Sequence, residues 1–590
     1  MQLADMPAAS SLVRLFLDRA DELGDRPFLT RKVDGQWQGQ SWAEIARKVC
    51  LLAEALRKLG LADGDRVLLV AENRPAWCIA DLAIMAAGLV TTPAYTTNTA
   101  RDHAHVLGDS GARAVIVSGG KLLPPLLAAM RETGTAGHLI VIDDAPDLPA
   151  DLPFAAHRWA DLLAGDPAAA RAAVERRQAG VTRSHLACII YTSGTGGSPR
   201  GVMLPHGAIL ANIHSAGSVL VGDYGWQTER FLSFLPLSHA YEHTAGQMLP
   251  IGLGAEIWYA EGLEKLAANM AEAEPTLMVV VPRLFEVLRA RIVKQVEKQG
   301  RAAQWLMAQA IALGERQAAG GWRLGDRLLD AVLDRTLRPK IRGRFGGRIK
   351  ALVSGGAPLN PQLGRFFQSL GLPLLQGYGQ TEAAPVIACN HPSAGIRMET
   401  VGPPLPGTEV QLAEDGELLV RGELVMAGYW NNPAETAKAL VDGWLHTGDI
   451  GHFDARGRIQ ITDRKKDLIV NDKGDNVAPQ RVEGLLTLQP EIAQAMLYGD
   501  RRPYMVALLV PDADWLKDNE VTGEEATRRA LDVAVKRVNA DLGVIERIRT
   551  FAVADEPFAI PNGELTPSLK IRRHVIRARY EDRLAALYRA

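Results

Sequence analysis

Short apolar runs recur along the first three quarters of the chain, each followed by a segment with helical spacing, and this alternation restricts the fold more than any other feature. Arg66–Ala71 (RVLLVA), Ala112–Ser118 (ARAVIVS), Leu139–Asp143 (LIVID), Leu186–Ile190 (LACII) and Thr276–Pro282 (TLMVVVP) are continuously apolar rather than alternating. Strands buried on both faces read this way, and they belong to parallel sheets covered by helices. Val90–Pro93, Phe231–Leu237, Ala255–Tyr259 and Ile349–Ser354 extend the series. Helices are predicted over Ala43–Leu59, capped by Ser41 and stopped at Gly60, and over Ala76–Gly88, Thr99–Leu107 and Ala208–Val221. Asp143–Gln178 reads as a surface connection, and Arg283–Phe345 as a long helical stretch.

The texture changes after Met398. Glu409–Tyr429 alternates in polarity and carries the turn pairs Asp415-Gly416 and Arg421-Gly422, so a smaller antiparallel region is expected. Beyond residue 468, the runs Met496–Gly499, Met505–Pro511 and Phe551–Val553 with three helices suffice for a separate α+β unit. The expected fold class is therefore α/β. A large N-terminal domain (1–462) holds mixed or parallel sheets with flanking helices, a helical insertion near 286–345 and a β-rich subdomain near 400–462. A linker at 463–467 leads to a small α+β domain at 468–590.

At 590 residues the chain exceeds one hydrophobic core, and its net charge of -2 carries no nucleic-acid signature. Its four cysteines lie far apart without CxxC spacing, which fits a reduced compartment and argues against structural zinc. The N-terminus lacks a basic start before an apolar core, and no run of 18 apolar residues occurs, so a soluble cytoplasmic-type protein is expected. Arg335, Arg338, Lys340, Arg342, Arg344, Arg348 and Lys350 form a basic cluster. It reads as a solvated helical surface, with contact to an anionic lipid surface or a phosphorylated ligand as the alternative. The terminal helix, with Arg572, Arg573, Arg577 and Arg579, offers a second such face for peripheral membrane association.

The stretch Tyr191–Gly201, YTSGTGGSPRG, follows one of the apolar runs. Gly194, Gly196, Gly197 and Gly201 alternate with the hydroxyls of Thr192, Ser193, Thr195 and Ser198, and Arg200 adds positive charge. Glycines let backbone N–H groups close around an anion, and the hydroxyls add donors, so the loop reads as a phosphate cradle. No Gly-Lys-Ser/Thr closes it, and Pro199 stands where the last glycine of GxGxxG would be.

With SGGAPL (Ser354–Leu359), QGYGQTE (Gln376–Glu382), WLHTGD (Trp444–Asp449), DRKKD (Asp463–Asp467) and TPSLK (Thr566–Lys570) following in order, the chain resembles the adenylate-forming enzymes over essentially its whole length. LPLSHAYE (Leu235–Glu242), VPRLFE (Val281–Glu286) and NGELTPSLK (Asn562–Lys570) are similar to the long-chain fatty acyl-CoA synthetase branch. The resemblance implies ATP, Mg²⁺, coenzyme A and a fatty acid as ligands. It implies that Thr192, Ser193, Gly194, Thr195, Gly196 and Gly197 hold the β/γ-phosphates, aided by Arg200, and that Glu382, with Thr195, binds the metal beside Thr381. Tyr378 would stack on adenine, with Gln376, Gly377 and Gly379 around it and Gly356, Ala357 and Pro358 on the base's other face. Asp449 would accept the ribose hydroxyls, and Arg464 would contact the ribose or phosphate side. His239 would line the acyl site near the carboxylate. Lys570 would be the catalytic cation, carried on a small domain that rotates about Lys466.

Activation is needed because a carboxylate has no good leaving group; attack on the ATP α-phosphate supplies one, and a thiol then displaces AMP. The first step needs positioning and cations more than covalent chemistry. Two residues depart from the family pattern: Gly196 stands for Thr and Arg200 for Lys, and a planar guanidinium is not equivalent to a compact ammonium. Val470 occupies a position where some relatives carry a thioester-forming lysine, so that role is not carried over. Two other readings remain open at this level: an acyl-AMP ligase loading a carrier protein, and a nucleotide- or lipid-binding pseudoenzyme.

Overall fold

The computed structural model describes residues 9–143, 148–149, 151–192, 199–321, 323, 325–465, 467–473, 475–566 and 570–589. Its larger part is built on two eight-stranded sheets. In the first, Pro27–Val33, Glu256–Tyr259, Arg230–Ser233, Leu277–Val280, Ala351–Ser354 and Leu374–Gly379 run parallel, and Val386–Cys389 and Gln36–Ser41 form antiparallel edges. In the second, Ala155–Arg158, His138–Val141, Ala114–Val117, Arg66–Val70, Val90–Pro93 and Leu186–Thr192 run parallel, Arg200–Pro205 returns antiparallel, and the short strand Gly428–Tyr429 pairs antiparallel at its edge. The continuous apolar runs are these strands. Val67, Leu68, Leu69, Val115, Ile116, Ile189 and Val280 have no exposed surface.

Local chemistry explains the best-predicted helix. Ser41 Oγ accepts from the Glu44 amide (3.2 Å) while Glu44 Oε2 accepts from the Ser41 amide (2.9 Å), a reciprocal cap that starts Trp42–Lys58. Its apolar stripe (Ile45, Val49, Leu52, Leu56) is fully buried, each such side chain contributing about 1.5–3 kcal/mol.

Three expectations are corrected. The run Phe231–Leu237 is a strand only to Ser233. Pro236 cannot donate to a ladder, and Asn73 supplies the missing partners: its Nδ2 donates to Leu235 O (2.6 Å) and its Oδ1 accepts from the Leu237 amide (3.2 Å). Within Asp143–Gln178 lie the edge strand Ala155–Arg158 and the helix Pro167–Gln178, capped by Asp166. That helix buries only Ala170, Val174 and Gln178, too weak a stripe to read from the sequence. Downstream of residue 468 the described residues hold four α-helices rather than three: Pro479–Leu486, Ala513–Asp518, Glu524–Ala540 and Arg573–Ala586. They accompany the sheet Ile492–Tyr498, Met505–Pro511, Ile548–Val553.

Residues 282–343 form four helices, Pro282–Lys298, Arg301–Ala318, Asp326–Thr336 and Arg338–Gly343. They close a second core around Phe285, Leu313, Leu333 and Phe367. No helix among the described residues is long and apolar enough to cross a membrane.

Two pieces of topology position the site. Ala351–Ser354 and Leu374–Gly379 are parallel neighbours with Ser354 opposite Gln376, so SGGAPL and GYGQTE leave the same sheet end, where open α/β sheets bind ligands. In a five-stranded antiparallel sheet, Trp444–Phe453 pairs with Ile459–Arg464, and the register sets Asp449 opposite Arg464.

Candidate active site

These elements line an open cleft of 2560 Å³ between the large N-terminal part and the C-terminal segment. Asp449, 3% exposed, forms its most ordered corner. Asp449 Oδ2 accepts from the Tyr378 hydroxyl (2.7 Å) and Oδ1 from Arg464 Nε (2.8 Å). Burial, then the neighbouring Asp449 carboxylate, pushes the Tyr378 hydroxyl well up, so it remains a donor. Burial alone would lower Arg464, but Asp449 outweighs it and the net shift is upward.

Gly377, Tyr378 and Gly379 end the strand, and the chain turns sharply through Gln380, Thr381 and Glu382. A Cβ on Gly379 would stand 1.8 Å from Pro385 O, so only glycine allows the turn to fold back. Gly356 opens the facing loop at φ +78 and lines the cleft with Ala357 and Pro358. Gln376 and Thr381 are almost fully buried beside them. Glu382 Oε1 accepts from the Tyr429 hydroxyl (2.8 Å).

His239 also lines the cleft. Its Nδ1 accepts from the Tyr241 amide (3.2 Å), which leaves the proton on Nε2. Burial, then the charge of Lys570, lowers its pKa to about 3, so the ring is neutral. Lys570 is tied to Thr566 by two hydrogen bonds, Thr566 N–H to Lys570 O (2.8 Å) and Lys570 N–H to Thr566 Oγ1 (3.0 Å). Protein surrounds its ammonium while its side chain stays exposed to the cleft. Loss of solvent, then Arg464, lowers its pKa to about 8 against the pull of Asp449, Glu382 and Asp467. Behind it, Arg573 makes a two-pronged contact (2.5 Å each) to Glu483, whose Oε1 also accepts from the Leu497 amide.

The geometry brings together Asp449, Arg464, Tyr378, Glu382, His239 and Lys570, which lie up to 331 positions apart in sequence (239 to 570). Arg200 is close by but engaged: it pairs with Glu435 (2.8 Å) and lies 4.5 Å from the centre of the Tyr429 ring. Thr192 ends its strand at the cleft wall. Ser193, Gly194, Thr195, Gly196, Gly197 and Lys466 lie outside the described residues. Tyr429 and Glu483 escaped sequence reasoning. The Gly428-Tyr429-Trp430-Asn431-Asn432-Pro433 run reads only as a turn signal, and no charge pattern marks Glu483 as Arg573's partner.

Part of the basic cluster is paired internally. Arg338 is buried against Asp330 and Asp334, Arg342 pairs with Asp334, and Lys350 with Glu229. On the terminal helix, Arg573 is taken by Glu483 and Arg579 by Glu556 and Glu564. These pairs help hold the fold, while Arg335, Lys340 and Arg348 stay exposed on the surface.

Comparison with known proteins agrees with this geometry. Residues 16–430 match the model of the AMP-binding enzyme family, and residues 466–590 that of the AMP-binding enzyme C-terminal domain. A Mycobacterium tuberculosis protein named long-chain-fatty-acid–CoA ligase FadD15 is 34% identical over 577 residues, covering 95% of this chain and 94% of the relative. The peroxisomal long chain acyl-CoA synthetase 7 of Arabidopsis thaliana is 28% identical, covering 99% and 87%. In fold, the chain is similar to the adenylation domain of a carboxylate reductase from Mycobacterium chelonae, with a TM-score of 0.78, 22% identity, and coverage of 100% and 92%. The chain belongs to the AMP-binding enzyme family, the enzymes that form acyl-adenylates.

Proposed function

We propose that this protein is an ATP-dependent fatty acid:coenzyme A ligase acting on medium- or long-chain acids. The observation that carries this reading is one cleft in which Asp449, with its Tyr378 and Arg464 partners, faces the cation of Lys570. The names of the relatives, long-chain-fatty-acid–CoA ligase and long chain acyl-CoA synthetase, support the acid class. We divide the chain into 1–462, a hinge at 463–467 centred on Lys466, and 468–590.

In the first half-reaction a carboxylate oxygen of the acid attacks the α-phosphorus of ATP. The bond from that phosphorus to the bridging oxygen breaks, and pyrophosphate leaves. Asp449 receives the ribose hydroxyls, a carboxylate against a diol, while Tyr378 offers its ring to the base beside Gly356, Ala357 and Pro358. Lys570 stabilises the charge shared by the incoming carboxylate and the α-phosphate, the electrostatic work such a transfer requires. His239, neutral with its proton on Nε2, donates toward the acid without adding charge. Thr192, Arg200 and the loop 193–197 meet the β/γ-phosphates.

Magnesium fits this site. Glu382 presents one carboxylate beside Thr381, and the described residues hold no cluster of three or more His, Cys, Asp or Glu that would form an all-protein cage. Magnesium is bound in this manner where substrate phosphates complete its shell. When present it neutralises phosphate charge.

In the second half-reaction the thiol sulfur of coenzyme A attacks the acyl carbon, the thiol proton passes to solvent, and AMP leaves through its phosphate oxygen. Rotation about 463–467 withdraws Lys570 and brings another face of the small domain to the cleft.

ATP–pyrophosphate exchange with a panel of acids from C6 to C20 tests the reading. Exchange driven by the longer acids, followed by adenylate consumption on adding coenzyme A, is expected. Exchange at background with every acid overturns the enzyme reading. An adenylate that free coenzyme A leaves intact, but a phosphopantetheine-bearing carrier consumes, overturns the acceptor.

A further inference from the structure

Residues 426–438 are tied to both the strand that leaves the phosphate loop and the turn that carries Glu382. On one side the Met426 amide donates to Glu382 O (2.9 Å). On the other, Gly428–Tyr429 pairs antiparallel with Val202–Met203, and the Trp430 amide donates to Gly201 O (2.7 Å). The strap is stiffened from within: the Tyr429 amide donates to Thr436 Oγ1 (2.9 Å), and Asn432 caps the helix Pro433–Ala439 through the Glu435 amide. Its backbone therefore has little freedom to move Tyr429 relative to either loop.

The side chain of Tyr429 continues this bridging. It is 6% exposed, its hydroxyl donates to Glu382 Oε1 (2.8 Å), and the Arg200 guanidinium lies 4.5 Å from its ring centre. Arg200 is fixed in turn by Glu435 Oε2 (2.8 Å), whose Oε1 accepts from Lys438 (2.7 Å). A buried tyrosine that only filled space would not need a carboxylate on its hydroxyl and a guanidinium on its face. Glu382 is the half-buried middle residue of the turn Thr381–Ala383, and without a partner its carboxylate could present either oxygen to the cleft. Tyr429 occupies Oε1, which leaves Oε2 as the oxygen to meet a cation.

We propose that Tyr429 is a positioning residue that orients the Glu382 carboxylate for a nucleotide-bound divalent cation, with the Arg200–Glu435 pair clamping its ring. This rests on the reading that Glu382 faces magnesium-bound ATP. The strap thereby couples the two loops: whatever moves Arg200 at the phosphate loop reaches Glu382 through one aromatic ring.

The test compares wild type with Tyr429→Phe and Glu435→Gln, using calorimetric binding of ATP across a magnesium titration and binding of AMP without metal. Tyr429→Phe keeps the ring and its contact with Arg200 and removes only the hydroxyl. The magnesium concentration for half-maximal ATP binding should rise about tenfold, the worth of one hydrogen bond to a charged group. Glu435→Gln should raise it about threefold by loosening the clamp. AMP, which meets the Asp449 corner, should bind all three proteins alike, and this also reports that each variant is folded. Unchanged magnesium half-saturation in Tyr429→Phe, with AMP affinity intact, overturns the positioning role. If Tyr429→Phe fails to bind AMP, Glu435→Gln decides alone, and an unshifted magnesium midpoint there overturns the proposal. ATP binding by wild type that ignores magnesium would instead remove the reading of Glu382 itself, and the proposal with it.

Discussion

Two polar centres, each built around an aspartate, meet opposite fates in this molecule. At the cleft, Asp449 has both carboxylate oxygens engaged by Tyr378 and Arg464, and the group opens toward Lys570. In the interior, the π-helical turn Glu242–Met248 packs His243 and Gln247 against Asp81, both within 2.9 Å of its Oδ2. All of these, with Glu242, are at most 1% exposed. Yet Asp81 Oδ1, His243 Nδ1, Gln247 Oε1 and both Glu242 oxygens have no hydrogen-bond partner among the described residues. Ser233 and the Phe234 amide lie near enough to Glu242 to favour its charge, without forming well-shaped hydrogen bonds. A buried polar group without a partner costs about 1–3 kcal/mol. The cleft centre therefore has its charge met by partners and can offer it to a ligand, whereas at the interior centre burial keeps Glu242 protonated. Removing a group from the first should cost activity and leave the fold; removing one from the second should change stability, with a dependence on pH.

The largest effect is expected at Lys570. Lys570→Ala should lower ATP–pyrophosphate exchange by about a thousandfold, the scale of losing a preorganised charge at the transition state. Thioester formation from supplied acyl-adenylate should stay within about threefold, because the proposed rotation would withdraw this lysine. With its pKa lowered to about 8, the ammonium loses its proton as pH rises through 8, so wild-type exchange should fall about tenfold per unit above that point. Lys570→Arg should hold its residual exchange level from pH 7 to 10. Equal loss of both half-reactions in Lys570→Ala would place the lysine in the fold rather than in the chemistry.

Asp449→Asn comes next. It keeps the shape and the ladder pairing but removes the charge that Arg464 faces. AMP affinity should fall about a hundredfold, the worth of charge-assisted hydrogen bonds to a diol. The midpoint of urea unfolding should move little. A large loss of stability with nucleotide affinity intact would erase the contrast between the two centres, since Asp449 would then be a structural charge.

The two centres also differ in how readable they were. Tyr378, Glu382 and Asp449 sit in glycine-bearing motifs, whereas His239, Arg464 and Lys570 do not; all of them could be named because the ordered motifs carry a family resemblance. Their partners were partly hidden. Tyr429 reaches Glu382 only because a two-residue strand joins the sheet edge at Val202–Met203, a pairing with no local signature. The interior centre left no trace either. Asp81 reads as one polar residue in an apolar helix, and His243 and Gln247 as the end of a motif whose strand stops four residues early, at Ser233. Buried polar residues facing each other across two sheets are set by tertiary packing, which periodicity does not encode. The same limit hides part of the basic cluster's pairing, where Asp330 and Glu229 take Arg338 and Lys350 into ion pairs.

The smallest effect is expected at Glu242. Its pKa is raised from 4.5 to about 8, with burial the dominant cause. The sign follows from which state holds the proton. Between about pH 4.5 and pH 8 the folded protein keeps it and the unfolded chain does not, so stability is greatest below that window and is lost as pH rises through it. Glu242→Gln cannot ionise and removes this loss. Relative to wild type, the variant should therefore gain about 2 kcal/mol on going from pH 5 to pH 8.5 in urea unfolding. This is less than the full shift would give, because water entering the ionised site recovers part of it. A stability difference that is the same at both pH values would mean that Glu242 ionises alike in the folded and the unfolded protein and is reached by water. The interior would then be a second wet polar site rather than a dry one, and the distinction between the centres would rest on nucleotide contact alone.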